Sequence, residues 1–216
     1  PFINKLVVFL HYIFKTKKKD THLEHIQYLN DSVLELPSTS LAAINNETKH
    51  LYQIAFKIIA NGLILKQRNI LSPMDVDNVI NDEYTKEEVD VNREYLTRVK
   101  EISGAILDFA TRAQISMNSE NIQKIFDAKL ANRAIVSAIK ATQHLCKNMK
   151  IHTKSKNEYV REEYNLIRKN LVQLLRTINA IAKADNEMEK ESLLVEAKNH
   201  SEKNDVFANG SLDNLI

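Results

Sequence analysis

Arg133, Lys140, His144, Lys147 and Lys150 recur at spacings of three, four and seven residues. On a helix those intervals place the five side chains on one face. From Ala128 to Asn157 there is no Asp or Glu, while Lys129, Lys154 and Lys156 add to the same charge. A cationic face with no acid of its own suits an anion: lipid headgroups, a phosphorylated ligand or an acidic partner. Arg133, Lys140, His144 and Lys147 are the candidate contact residues. The competing reading is a solvated face, neutralised by Asp82, Glu83, Glu87, Glu88, Asp90 and Glu94 on the preceding helix.

Other chemistry finds little support. There is no G-x-S-x-G, no P-loop and no glycine-rich cradle in a chain with three glycines. Cys146 has His144 too near in sequence to face it across a site. The chain therefore reads as non-enzymatic. His22 and His25 share one side of a possible short helix, but no cysteine or carboxylate completes a zinc site around them. No cofactor is expected. Glu83 and Glu87, and Glu158 and Glu162, sit one turn apart at helix starts, where carboxylates complement the helix dipole. His144-Leu-Cys-Lys147 is similar to the H-x-x-K pattern of histidine phosphotransfer helices, with Asn148 where a glycine usually follows the lysine. That similarity implies an alternative function, a helical-bundle signalling module relaying phosphate through His144. A plain helical scaffold is a third reading.

These residues need helices to position them. The chain has 216 residues with three Gly, three Pro and no Trp, which leaves little punctuation for a many-stranded sheet. Leu, Ile, Ala, Lys, Glu and Asn favour helices. The net charge of +2 gives no basis for nucleic-acid binding. The single cysteine, Cys146, excludes an internal disulfide and fits a reducing compartment.

Residues 28–62 organise the rest. An apolar lead-in (Leu29, Val33, Leu34, Leu36) runs into Pro37. A helix over residues 38–66 follows, with Leu41, Ile44, Thr48, Leu51, Ala55 and Ile58 as its stripe and Asn61-Gly62 as a stop signal. Ahead of it, residues 21–36 read as a short helix or ordered linker with Leu23, Ile26 and Leu29 inward. Residues 69–83 favour turns. A capping box from Thr85 to Glu88 starts the second long helix. Its stripe is Leu96, Val99, Ile102, Ile106 and Phe109, with Gly104 a weak point or a close crossing. Asn118 or Ser119 caps a third helix, over residues 120–149. Its apolar set is Ile122, Ile125, Phe126, Leu130, Ile135, Ile139, Leu145 and Met149. A second capping box, Ser155 to Glu158, starts a fourth. Val160, Tyr164, Ile167, Leu171, Leu174, Ile178 and Ile181 alternate steps of four and three, the seam of a bundle helix. A fifth helix covers residues 187–200, with Leu193, Leu194 and Ala197 inward, and residues 201–216 read as a mobile tail. The fold class is all-α, a bundle of long antiparallel helices.

Pro1 to Phe14 is almost wholly apolar and is followed by Lys15, Lys17, Lys18 and Lys19. It is shorter than the roughly 20 residues a span needs. It reads as the end of a transmembrane helix (residues 1–19 with the basic juxtamembrane segment), with the lysines cytoplasmic.

Tyr28-Leu29-Asn30, Leu34, Pro37 and Leu41-Ala42 resemble the lead-in to the cytoplasmic PhoU-like region of bacterial sodium/phosphate cotransporter proteins. The order of segments is similar too: apolar helix end, basic stretch, Y-L-N…P leader, long helices. The resemblance implies a PhoU-like bundle over residues 20–200, with helices packed in three-helix units. It further implies a regulatory domain on the cytoplasmic side of the inner membrane, modulating phosphate uptake through contact with the transmembrane domain of the same polypeptide. Anionic lipid, a phosphorylated ligand or a second copy of the chain are the further partners; nucleic acid is not. PhoU-like proteins often hold metal on E-x-x-x-D repeats. No Glu here is followed by Asp four residues on, and Arg133 lies where such carboxylates are expected, so no metal site is carried over.

Overall fold

Pro37 at the first helical position and Leu36 as its N-cap open α1, Pro37–Gly62. The computed structural model describes residues 25–82 and 90–213, with side chains as far as Glu202. The regular elements among the described residues are all helices, without strands. Two short helices follow α1: α2, Gln67–Ile70, and α3, Val76–Asn81. The turn expected around Ser72-Pro73 is present at residues 71–75, while Val76–Asn81 is helical in place of the turns expected there. α4, Val91–Glu94, passes through a π-helical turn, Tyr95–Val99, into α5, Lys100–Ala113. α6 spans Ser119–His152, α7 Glu158–Lys183 and α8 Glu187–Asp213.

α1 is buried on two sides. One side carries Ala43, Ile44, Leu51, Ile54, Ala55 and Ile58 into a cluster with Val99, Ile102, Ile106 and Phe109, and with Ile125, Ala128 and Ile139 of α6. The other side sends Phe56 and Ala60 into a second cluster with Ile70, Val79, Met149, Val172 and Leu175. The order of the layers follows from a few anchors. Arg112 meets Asp31 at 2.9 Å, and Ser116 Oγ donates to Leu34 O at 3.2 Å, which ties the end of α5 to the start of α1. Val91, at the start of α4, lies beside Gly62 at the end of α1. α4 and α5 therefore run antiparallel to α1, and α6 returns parallel to it, a three-helix unit. α7 then descends along the second side of α1, and α8 folds back on α7, with Thr177 Oγ1 donating to Glu196 Oε1 at 3.2 Å.

Several expectations shift for physical reasons. Leu36 is 54 % exposed because it serves as a cap rather than a core residue. Leu96 is 62 % exposed while Tyr95 packs on the first cluster. The π-helical turn adds a residue to that turn and so rotates Leu96 outward. In α6 the buried line is Ile125, Ala128, Asn132, Ile139, Thr142 and Met149. Ile122, Phe126, Leu130 and Leu145 are exposed, since α1 and α5 cover only one side of α6. In α7 the expected seam is only half-buried, and the fully buried line, Arg168, Val172 and Leu175, lies one position further on. Asn157, not Ser155, caps α7, accepting from Val160 N at 3.4 Å. Asn118 caps α6, as one of the two expected residues. α8 continues past His200 to Asp213, where no proline intervenes to stop it. The Thr85 capping box and the apolar segment 1–14 lie outside the described residues. Among the described residues no helix is long and apolar enough to cross a membrane.

Gly62 and Gly104 have opposite surroundings. A Cβ at Gly62 would collide with Thr142 Cγ2, and Thr142 cannot swing aside because its Oγ1 donates to Ala138 O at 2.9 Å. A Cβ at Gly104 meets nothing within 4 Å, so Gly104 marks no close crossing. Gly62→Ala is expected to cost about 1–3 kcal/mol by overpacking. Gly104→Ala is expected to stabilise by about 0.5–1 kcal/mol through the restricted unfolded chain. Urea denaturation of both variants checks the opposite signs.

Candidate functional site

Arg133, Lys140, His144 and Lys147 are all exposed on α6, and Lys147 also lines a pocket with Asn61 and Gly62 at the end of α1. None makes an ion pair with a described residue. Lys140 places its Nζ over the Tyr95 ring, 5.8 Å from the centroid. Of the neutralising acids expected from the preceding helix, Asp82 and Glu94 pair elsewhere, while Asp90 lines a pocket with Lys147 and Lys150. Asp82 accepts from Lys66 Nζ at 2.7 Å, and that bond holds its carboxyl below the usual range. Glu94 pairs with Arg98 at 3.1 Å. Asp90 caps α4, accepting from Asn92 N and Arg93 N at 3.0 and 3.1 Å. Glu83, Glu87 and Glu88 lie outside the described residues.

The same outward face of α6 continues toward its N-terminus as Ile122, Phe126 and Leu130, and ends at Ile151. All four are between 40 and 54 % exposed. At 100° per residue Ile122, Phe126, Arg133, Lys140, His144, Lys147 and Ile151 fall on one strip. Apolar and cationic side chains thus share a single exposed surface. No family model, curated protein or solved structure matches the chain. Any function must therefore be argued from the surface itself.

Cys146 is half-buried, its thiol donating to Gln143 O at 3.3 Å. Among the described residues no three His, Cys, Asp or Glu side chains converge as a metal site would need. His22, one of the two paired histidines in the sequence, lies outside the described residues.

A second polar region has no counterpart in the sequence patterns. An open cleft of about 630 Å³ runs across the outer side of α1. Its walls include Glu94 and Arg98 at the π-helical turn and Asn179 and Lys183 at the end of α7. His50 and Lys57 of α1 also line it. These residues are far apart in the chain, so no spacing rule could collect them.

Buried charge elsewhere serves the fold. Glu47 is fully buried and accepts from Gln27 N at 3.0 Å, Tyr28 N at 2.7 Å and His50 Nδ1 at 2.8 Å. Tyr28 stacks edge-on to His50, with centroids 6.3 Å apart. Asn30 caps the 3-10 turn Asp31–Val33, accepting from Ser32 N. The Y-L-N leader is thereby fastened to α1 by backbone donors and one carboxylate.

Proposed function

We propose that the chain is a non-enzymatic helical regulatory domain that works through the outward face of α6. The observation that carries this reading is the shared strip of exposed apolar and unpaired cationic side chains. Phe126 and Leu130 can enter the headgroup boundary while Arg133, Lys140 and Lys147 meet anionic lipid. In its finer form, the domain is the cytoplasmic PhoU-like part of a sodium-dependent phosphate transporter. It sits at the inner membrane against the transmembrane domain of the same polypeptide, with a second copy as a further partner. The three-helix unit of α1, α5 and α6 supports that form, as does the fastening of the leader residues that carry the resemblance. Regulation would then arise because this face makes different contacts in different transporter conformations.

Sedimentation with vesicles tests the surface. Vesicles containing phosphatidylglycerol should retain the chain, and pure phosphatidylcholine should not. Each lysine near an anionic surface contributes about 1 kcal/mol, so Lys140→Glu with Lys147→Glu should weaken binding by more than about tenfold. Equal binding by wild type and the double variant would sink the proposal. For the transport reading, the measurement is the mass and cell fraction of the native protein. A membrane-bound species much larger than 24.8 kDa is expected; a soluble species of that mass would remove it. Exposure of His144 also keeps phosphate relay open to a direct test. Phosphohistidine label from a donor kinase, lost in His144→Gln, would favour relay over the regulatory reading.

A further inference from the structure

The cleft on α1 joins cations from three separate elements. Lys57 comes from the middle of α1, Arg98 from the π-helical turn and Lys183 from the last turn of α7. Lys57 and Lys183 make no ion pair with a described residue. Arg98 uses Nη1 on Glu94 Oε2, and its Nε is buried without a partner. Three fixed positive charges against the single carboxylate of Glu94 leave the cleft with an excess of two. His50 also lines the cleft, with its Nδ1 2.8 Å from Glu47 Oε1.

Like charges gathered in excess of their counter-charge repel one another, and an anion in the cleft reduces that cost. The lining also supplies neutral donors in Gln53, Gln67 and Asn179. Tyr52 and Phe56, edge-to-face with ring centroids 6.1 Å apart, add an apolar wall. The volume falls within the 300–1,000 Å³ typical of small-molecule sites and exceeds what one inorganic anion fills. Arg98 Nη2, not engaged by Glu94, together with two flexible ammonium groups suits a phosphoryl group carrying two negative charges.

We propose that this cleft binds a phosphate-bearing small molecule, with Lys57, Arg98 and Lys183 holding the phosphoryl group and the Tyr52–Phe56 wall beside its organic part. The site shares no residue with the α6 face, so it stands or falls apart from the membrane reading. Occupancy would draw the π-helical turn, α1 and the end of α7 together. It would therefore stabilise the folded chain by mass action.

Calorimetric titration of the full chain is the test, with inorganic phosphate, adenosine monophosphate and succinate as probes. Saturable binding of adenosine monophosphate, tighter than that of inorganic phosphate, is the expected result. Binding of inorganic phosphate alone would keep the anion site and overturn the organic part. Succinate binding as tightly as either phosphate would overturn the phosphoryl assignment, and no saturable binding of any probe would overturn the site. Lys57→Gln with Lys183→Gln removes two exposed side chains that hold no ion pair with a described residue, so folding should survive, as circular dichroism would verify. Removing either ammonium group from the phosphoryl oxygens should weaken binding by at least about tenfold. Unchanged affinity in that variant would place the ligand elsewhere. Lys140→Glu with Lys147→Glu should leave phosphate binding intact, while the cleft variant should leave vesicle binding intact.

Discussion

Arg168→Met is expected to lower the stability of the chain by about 2–4 kcal/mol, because it strands two backbone carbonyls in the core. Arg168 is 5 % exposed, deep within α7. Its Nε donates to Leu63 O at 3.1 Å and its Nη2 to Ile64 O at 2.8 Å, while Nη1 reaches Asn165 Oδ1 at 3.0 Å. Leu63 caps the C-terminus of α1 and Ile64 follows it, at the end where carbonyls lack helical partners and carry the negative end of the dipole. Ile64 has φ of 58°, a left-handed conformation that a β-branched residue adopts only when its surroundings hold it there. The guanidinium shares that hold with backbone bonds from Ile64 N to Asn61 O at 3.0 Å and from Leu65 N to Ala60 O at 2.9 Å. Burial pushes its pKa down to about 10, so it remains charged at neutral pH. Methionine keeps much of the stem's packing and removes only the fork, which isolates the polar contribution. Arg168→Lys should recover part of the loss, since one ammonium cannot copy a planar fork across two carbonyls. Urea denaturation of the three proteins reads the order directly. A methionine variant within about 0.5 kcal/mol of wild type would show that the carbonyls find other partners.

Arg176 repeats the device two turns later, with Nε donating to Ile70 O at 2.8 Å and Nη2 to Ser72 O at 3.0 Å. The two arginines bind the loop after α1 to α7, and neither role is visible in a hydrophobic pattern. Arginine is read as a surface residue unless a partner is known. Both flank the four-and-three seam by a position or two, so the seam attracts the eye and the buried line beside it does not. α1 was more legible because its stripe at residues 41, 44, 48, 51, 55 and 58 coincides with the side that meets α5 and α6. Even there the second buried side, with Phe56 and Ala60, needed the structure. α6 failed in the opposite way. It carries apolar residues around its circumference, and periodicity cannot tell which of them the bundle covers. The cationic face was legible because four residues on one helix suffice to define it. The cleft was not, because Lys57, Arg98 and Lys183 meet only through tertiary packing.

Glu47→Ala should produce the second large effect, a loss of about 2–4 kcal/mol together with release of the leader. A fully buried carboxylate is tolerated only when it is paired and hydrogen-bonded. Here Oε2 takes two backbone N–H groups, from Gln27 and Tyr28, and Oε1 takes His50 Nδ1. Alanine leaves both backbone donors without an acceptor and His50 without its orienting partner. The leader then keeps only its apolar contacts, through Ile26, Leu29, Val33 and Leu34, and the surface links at Asp31 and Ser116. Glu47→Gln separates charge from geometry. Its one amide oxygen can still accept from Gln27 and Tyr28, but its NH₂ group then faces His50 Nδ1, which must give up its proton to accept. A smaller loss, about 1–2 kcal/mol, is expected for Gln. Limited proteolysis supplies the local readout. Glu47→Ala should open cleavage within residues 25–36 under conditions where wild type resists it, and Gln should fall between. If Glu47→Ala lost stability with no new cleavage there, the carboxylate would be serving the core of α1 rather than the leader. The Y-L-N segment would then be held by its apolar contacts alone.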